Sequence, residues 1–348
     1  MKKEANMKGD QVKAFVVPLL FFISIIFIPH GTWAAEKVIT LRYAHYLAVT
    51  TVQVKLAQEW CKEVESRTNG RVKVALYPGA TLMPVAQAYD GVTKEVADIS
   101  RGVFSYSRGR FPLTEVIDLP LGYKSGYAAT KLINEYYKKF NPKELDDVKV
   151  LYLEGHGPGL FHTRKPISRL EDLRGMKIRA SGLSAKIVTA LGGTPVSLPL
   201  PDAYDALARG VADGITNDIG GVWMWKTGEV VKYHIESYST AYTSGIFTVM
   251  NKNKWNSLPE DVKKIIDEIN EEYLEKSARM WTDFDATGKI GLLKMGNKFV
   301  ALSDQENARW AEKMRPIFDD YVKSTKEKGL PGGQALQFCV DYLKTHNK

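Results

Sequence analysis

The sequence predicts an α/β fold in which strands and helices alternate, divided into about two domains of ordinary size. Three observations predict it. Short alternating or β-branched segments recur between longer amphipathic ones. The chain is 348 residues long, more than a single core usually fills. Its 44% apolar and 25% charged residues are the composition of a packed globular protein, which excludes disordered and collagen-like classes.

Val38-Ile39-Thr40-Leu41-Arg42-Tyr43 alternates as a strand does. Thr51 to Thr68 reads as a helix with Val52, Leu56, Trp60 and Val64 at i,i+4 spacing, and Asn69-Gly70 is its stop signal. A strand through Val72, Val74 and Leu76 breaks at Pro78-Gly79, a helix runs from about Val85 to Glu95, and Ala97-Asp98-Ile99-Ser100 is a short strand. This alternation predicts βαβ units and a mainly parallel sheet. A second set opens with the strand Val148 to Leu153 and continues through the strand Met176 to Ala180 and helices at Ser184–Leu191 and Asp202–Arg209. Gly245 to Met250 returns to strand character. Ser257-Leu258-Pro259-Glu260 has the form of a capping box with an early proline. It opens a long helix with Val262, Ile265, Ile269 and Tyr273 on one face, extending past Trp281 toward Ala286. No low-complexity linker separates the halves, so the chain should cross between them several times.

The N-terminus carries Lys2, Lys3, Lys8 and Lys13, then a run from Ala14 to Ile28 that is apolar except for Pro18 and Ser24. Pro29-His30-Gly31 and the small-residue site Thr32-Trp33-Ala34 follow. This order is that of a secretory signal cleaved near Ala34, with an uncleaved membrane anchor as the alternative. Residues 1–34 are therefore expected to be removed on export across the inner membrane. No later segment reaches the ~18 consecutive apolar residues of a membrane span.

The formal charge is +8, with Lys and Arg dispersed among Asp and Glu. No basic block interleaved with aromatics points to a nucleic-acid partner; a mild attraction for small anions is what the charge supports. Cys61 and Cys339 are the only cysteines. They could bridge in an oxidising compartment, or remain buried thiols, but two cysteines are no disulfide framework.

Catalytic and cofactor motifs are absent or malformed. Gly155-His156-Gly157-Pro158-Gly159 would need a glycine where Leu160 stands, and Pro158 removes an amide donor, so a plain turn is expected. His156 and His162 do not have the spacing of a zinc pair, and no phosphate loop or nucleophile elbow occurs. The expectation is a protein that is not an enzyme and holds no cofactor and no metal. Arg179 is the residue with chemical promise. It lies near the C-terminal end of the strand Met176–Ala180, where α/β sheets present ligand-binding groups, and its guanidinium is a rigid fork for a carboxylate. A surface ion pair with Glu171 or Asp172 is the alternative.

Several segments, in order and spacing, carry a resemblance. They are Leu76-Tyr77-Pro78-Gly79-Ala80-Thr81-Leu82, Val96-Ala97-Asp98-Ile99, Arg110-Phe111-Pro112 and Asp118-Leu119-Pro120-Leu121. The most specific is Ile167 through Arg179, containing Leu170-Glu171-Asp172-Leu173-Arg174-Gly175-Met176-Lys177-Ile178-Arg179. Leu191-Gly192-Gly193-Thr194-Pro195 and Tyr204 through Gly214 follow. Over essentially the whole mature chain the sequence resembles the periplasmic solute-binding proteins, of the DctP type, of tripartite ATP-independent periplasmic (TRAP) transporters.

The resemblance implies a two-lobed periplasmic binding protein with mixed sheets, hinge strands and a long helix spanning both lobes. Lobe I would comprise 35–157 plus about 243–282, and lobe II 158–242 plus about 283–348, with C-terminal helices bracing both. A ligand held between the lobes would be delivered to the membrane permease subunits of a TRAP transporter. The carboxylate-clamping arginine of such proteins matches Arg179, a second arginine matches Arg164, and a polar residue after Asp213-Gly214 matches Asn217. Thr216 stands where many members have glutamate, and Leu200 where many have an aromatic residue. Tyr46 and Val103 stand where binders of sugar acids carry polar residues, and Trp223 and Trp225 add apolar bulk. The implied ligand is a small organic carboxylate, apolar or aromatic rather than a sugar acid, held by Arg179, Arg164 and Asn217 with His45, Tyr46 and Trp223 shaping the remainder. The protein is expected to act as a monomer. A binding protein of an ATP-driven importer, an exported hydrolase and a sensor subunit for a membrane kinase are the alternatives.

Overall fold

The computed structural model describes residues 38–107 and 109–347, so the expected signal segment and its cleavage near Ala34 lie outside the described residues. Eleven strands are present among them. They are β1 (Ile39–His45), β2 (Val72–Tyr77), β3 (Ile99–Val103), β4 (Val148–Gly155), β5 (Leu160–Thr163) and β6 (Lys177–Ala180). Then come β7 (Thr194–Ser197), β8 (Gly214–Asn217), β9 (Tyr233–Glu236), β10 (Gly245–Asn251) and β11 (Lys298–Ala301). The helices are α1 (Val52–Arg67), α2 (Ala88–Thr93), α3 (Gly126–Phe140), α4 (Ser184–Ala190), α5 (Ala203–Ala208) and α6 (Ile219–Met224). They continue with α7 (Lys252–Asn256), α8 (Glu260–Lys294), α9 (Asp304–Glu312), α10 (Arg315–Glu327) and α11 (Gly332–His346).

The strands form two sheets, ordered β2-β1-β3-β10-β4 and β11-β9-β5-β8-β6-β7. The first is parallel through β2, β1 and β3, but β10 runs antiparallel to both β3 and β4. In the second, β6 is parallel to β7 and β8, whereas β5 is antiparallel to β8 and β9. A mainly parallel sheet is thus corrected to two mixed ones. The cause is that the chain crosses from one sheet to the other between β4 and β5 and returns between β9 and β10, so β10 enters the first sheet from its far end. The first crossing is Gly155-His156-Gly157-Pro158-Gly159. There a Cβ on Gly157 would sit 1.8 Å from the Asp285 carboxylate, and one on Gly159 would sit 2.3 Å from the Tyr242 ring. Close approach, not phosphate binding, accounts for those glycines.

Local sequence explains the elements near the crossings. Thr51 caps α1 by accepting from the Val54 N–H, and Val54, Ala57, Trp60, Cys61 and Val64 are buried at helical spacing. Of the expected i,i+4 stripe, Trp60 and Val64 are buried and Leu56 is half-buried, whereas Val52 faces out and Val54 faces in. The Ser257 capping box does not form. Ser257 ends α7 and donates its hydroxyl to the Lys254 carbonyl, and α8 begins directly after Pro259.

Helix α8 is 35 residues long and continues past Ala286 to Lys294. Its first half packs Val262, Ile266, Ile269 and Tyr273 into the core beneath β1 and α1. Its last turns place Leu292 in the cluster formed by β8, α6 and Val231. One helix therefore touches both sheets. Cys61 and Cys339 are free, buried thiols in different core clusters, so they do not bridge. Among the described residues no helix is long and apolar enough to cross a membrane, and no cluster suited to a metal ion occurs.

Candidate functional site

A cavity of about 350 Å³ opens between the two sheets, at the small end of the ~300–1,000 Å³ range of ligand pockets. Tyr46, at the end of β1, and Val103, Ser105 and Tyr106, around the end of β3, contribute from the first sheet. Arg179, Leu200, Asn217 and Trp225 contribute from the second, and Trp281 and Phe284 from α8. Most of this wall is aromatic or aliphatic.

Arg179 is 3% exposed. Its Nε and Nη2 donate to the Leu198 carbonyl at 3.0 and 2.8 Å, and Nη2 reaches the Ser181 hydroxyl at 3.5 Å. Nη1 bonds to no described residue, and no described carboxylate pairs with this guanidinium. The surface alternative fails: Glu171 pairs with Arg309, and Asp172 accepts from Ser168 and Arg169. A desolvated guanidinium without a counter-charge is costly, and an anion placed against this wall would supply one.

Asn217 ends β8, one strand over from β6. Its carbonyl accepts from His162 Nε2 at 2.9 Å, which fixes the proton on that nitrogen; His162 Nδ1 then accepts from His234 Nδ1 at 2.8 Å. Burial lowers the His162 pKa to about 4, and burial followed by repulsion from His162 and Lys232 depresses that of His234 further. Both rings are therefore neutral struts holding the backbone at Asn217. The Asn217 Nδ2 is buried on the cavity wall with no partner in the protein. Beneath Tyr242, Thr216 Oγ1 lies 3.2 Å from the Ser184 hydroxyl, so a short hydroxyl fills the position where the resemblance expects an acid.

Under the first sheet's side of the wall lies a second buried arginine, with a different environment. Arg101 donates from Nε and Nη2 to Glu154 at 2.9 and 3.2 Å, and Trp281 Nε1 donates to the same carboxylate at 3.0 Å. Its guanidinium carbon lies 5.7 Å from the Tyr46 ring centroid and 5.9 Å from that of Trp281. This network fixes two aromatic walls. On the opposite flank Asp218 caps α6 by accepting from Gly221, and Asp285 of α8 accepts from Gly220 at 2.8 Å. Burial, then the neighbouring Asp218, raises the Asp285 pKa well above the ordinary carboxyl range.

Of the eight residues expected at the site, Arg179, Asn217, Tyr46, Leu200 and Val103 converge on the cavity. Arg164 does not line it. Leu160 pairs with Asn217 and Thr163 with Gly214, so Arg164 leaves β5 at the end of the ladder away from Asn217. Its Nε and Nη2 are buried without partners there. His45 is also outside the lining; it accepts from the Leu47 N–H and stacks on Tyr46 at 5.9 Å. Trp223 is replaced by Trp225. Two residues apart on a helix lie ~200° apart around its axis, so only one of the pair can face the cavity, and Trp223 instead lies over Gly291 of α8. Sequence reasoning missed Gln53, His156, Tyr242, Trp281 and Phe284. The glycines flanking His156 were the one available signal, since they mark a close crossing.

The fold and site define a two-sheet α/β protein with a ligand-sized cavity between its sheets. The chain belongs to the DctP family of bacterial extracellular solute-binding proteins (family 7), whose model matches residues 43–325, and it is a TRAP-type solute-binding protein. A TRAP periplasmic solute-binding protein of Desulfovibrio salexigens is 31% identical, with a TM-score of 0.81 over 89% of this chain and 97% of that one. A marine metagenome protein specific for aromatic acids, solved with metahydroxyphenylacetate, is 29% identical, with a TM-score of 0.84 over 89% of this chain and 100% of that one. The C4-dicarboxylate-binding periplasmic protein DctP of Rhodobacter capsulatus is 25% identical, covering 83% of this chain and 88% of its own.

Proposed function

We propose that the mature protein captures a small, largely apolar organic carboxylate, foremost an aromatic acid, and delivers it to a TRAP permease without chemical change. The observation that carries this reading is the buried Arg179 fork, unpaired and lining an aromatic cavity. Arg179 Nη1 and the Asn217 amide supply the donors for the carboxylate, and Tyr46, Val103, Leu200, Tyr242, Trp225, Trp281 and Phe284 enclose the body. In such a low-dielectric enclosure an ion pair is far stronger than in water, which favours the closed, ligand-bound state. The metagenome relative specific for aromatic acids supports the same ligand class.

The rest of the proposal follows from that capture. The protein works as a monomer in the periplasm after cleavage near Ala34. Lobe I (35–157 plus about 243–282) and lobe II (158–242 plus about 283–348) close on the ligand about the crossings between β4 and β5 and between β9 and β10. A thermal-shift screen tests the ligand class by pairing each acid with its neutral amide. A ligand at one hundred times its Kd adds about 2.7 kcal/mol of stability. Acids should raise the melting temperature while the amides do not; stabilisation by neutral sugars but by no acid would sink the reading.

A further inference from the structure

Gln53 sits in the first turn of α1, two residues after the capping Thr51, and lines the cavity. It is 3% exposed, and neither its Oε1 nor its Nε2 has a hydrogen-bond partner among the described residues. Helix chemistry does not account for it. The cap is complete without it, since Thr51 accepts from Val54, and the flanking buried positions Val54 and Ala57 are apolar. A leucine would fill the same volume without stranding an amide, so the polar end has a use that the protein alone does not meet. Its place in the fold says what the use is. Arg179 and Asn217 belong to the second sheet, whereas Gln53 belongs to the helix packed on β2 of the first. Between them the wall is aromatic and aliphatic, with Tyr46, Val103 and Ile246 on the first-sheet side.

We infer that Gln53 reads a second polar group on the ligand, so that the preferred ligand is an apolar carboxylate carrying a hydroxyl or carbonyl at the end remote from its acid group. This deepens the proposed function and rests on its placing of the carboxylate at Arg179. An amide presents both a donor and an acceptor, and a hydroxyl or carbonyl satisfies one or both. A site that offers such a group discriminates against the analogue lacking it, because binding that analogue leaves the amide stranded.

The test is calorimetric affinity for matched pairs, benzoate with its 3- and 4-hydroxy derivatives and phenylacetate with the same, on wild type, Gln53→Leu, Gln53→Glu and Arg179→Ala. Wild type should bind the best hydroxylated member at least tenfold more tightly than its parent acid. Gln53→Leu should remove that preference by weakening the hydroxylated member, leave the parent acid bound as well or better, and melt within a few degrees of wild type without ligand. Gln53→Glu, which keeps the size and an acceptor, should weaken every acid by adding a negative charge. Arg179→Ala should weaken both members of every pair. Wild type without a hydroxyl preference in any pair, or Gln53→Leu weakening both members equally, overturns the inference. Undiminished binding by Arg179→Ala would instead overturn the carboxylate reading.

Discussion

Arg179→Ala is the perturbation that bears most directly on the site. In the ligand-free protein its cost is small. The substitution removes the bonds from Nε and Nη2 to one carbonyl, that of Leu198, a loss of about 1.5–3 kcal/mol that is offset by no longer burying a cation. The ligand-bound protein differs, because the variant would enclose a carboxylate with no charge to meet it. Truncating one member of a buried, hydrogen-bonded charge pair costs about 2–5 kcal/mol, which is roughly 30-fold to several-thousand-fold in Kd. Arg179→Lys keeps the charge but loses the planar fork, since a single nitrogen cannot span the Leu198 carbonyl and the ligand as two guanidinium nitrogens do; one charge-assisted bond, about 1.5–3 kcal/mol, should go. Titration calorimetry with the acid found by thermal shift measures all three proteins, and melting curves without ligand measure folding. The expected pattern is near-equal stability with affinity falling from arginine to lysine to alanine. Binding by Arg179→Ala within about threefold of wild type, a difference below 1 kcal/mol, would refute the assignment of this arginine.

Four further outcomes follow from the geometry. Asp118 is buried with only the Gly245 N–H to meet it among the described residues, and burial lifts its pKa to about 8. The native state then keeps a proton that the unfolded chain releases above its ordinary 3.8, so stability from this group is fullest in acid and is lost as pH rises toward 8. Asp118→Asn should therefore gain on wild type by up to about 1.4 kcal/mol per pH unit across that window, read from denaturant midpoints; a pH-independent difference would contradict the burial. Trp225→Ala should weaken ligand binding at least tenfold, whereas Trp223→Ala should lower the melting temperature and leave Kd unchanged; the reverse pattern would restore Trp223 to the site. Nitrogen-detected NMR should find His162 neutral and protonated on Nε2 at pH 5.5, and a ring titrating near 6.5 would break the strut. Glu154→Gln should cost about 3–5 kcal/mol of stability, because it leaves Arg101 buried without its counter-charge, and chemical denaturation would expose a smaller effect.

Much of the architecture was written in local pattern. The period of α1, the stop at Asn69-Gly70 and the length of α8 come from spacing that any helix imposes, and the structure departs from them by a residue or a few turns. Strand direction was not so written. Sequence alternation is the same for parallel and antiparallel neighbours, and only the crossings between the sheets turn β10 against β3. The site divides in the same way. Arg179 was legible because a strand end, an adjacent Ser-Gly turn and a family motif coincide on it. Arg164 misled because its motif position says nothing of register: it lies four positions beyond Leu160, the partner of Asn217. Trp225 and Trp223 could be told apart only by the phase of α6, and Gln53 looked like any polar residue opening a helix.

The two buried arginines show why residue type and burial alone do not identify a binding group. Arg101 and Arg179 are each 3% exposed and each lie beside aromatic walls of the cavity. Arg101 meets Glu154 with two bonds, and that carboxylate also takes the Trp281 indole, so its charge is neutralised within the protein and its rigidity passes to Tyr46 and Trp281. Arg179 meets a carbonyl and a hydroxyl, neutral groups that orient the fork but leave its charge uncompensated. Had both been paired, the cavity would favour a neutral guest; had neither been, the aromatic walls would have no fixed frame. Under the proposed function, this division of labour lets a mostly apolar enclosure select for an acid. Affinity then depends on one charge, and shape depends on a separate ion pair that the ligand never has to displace.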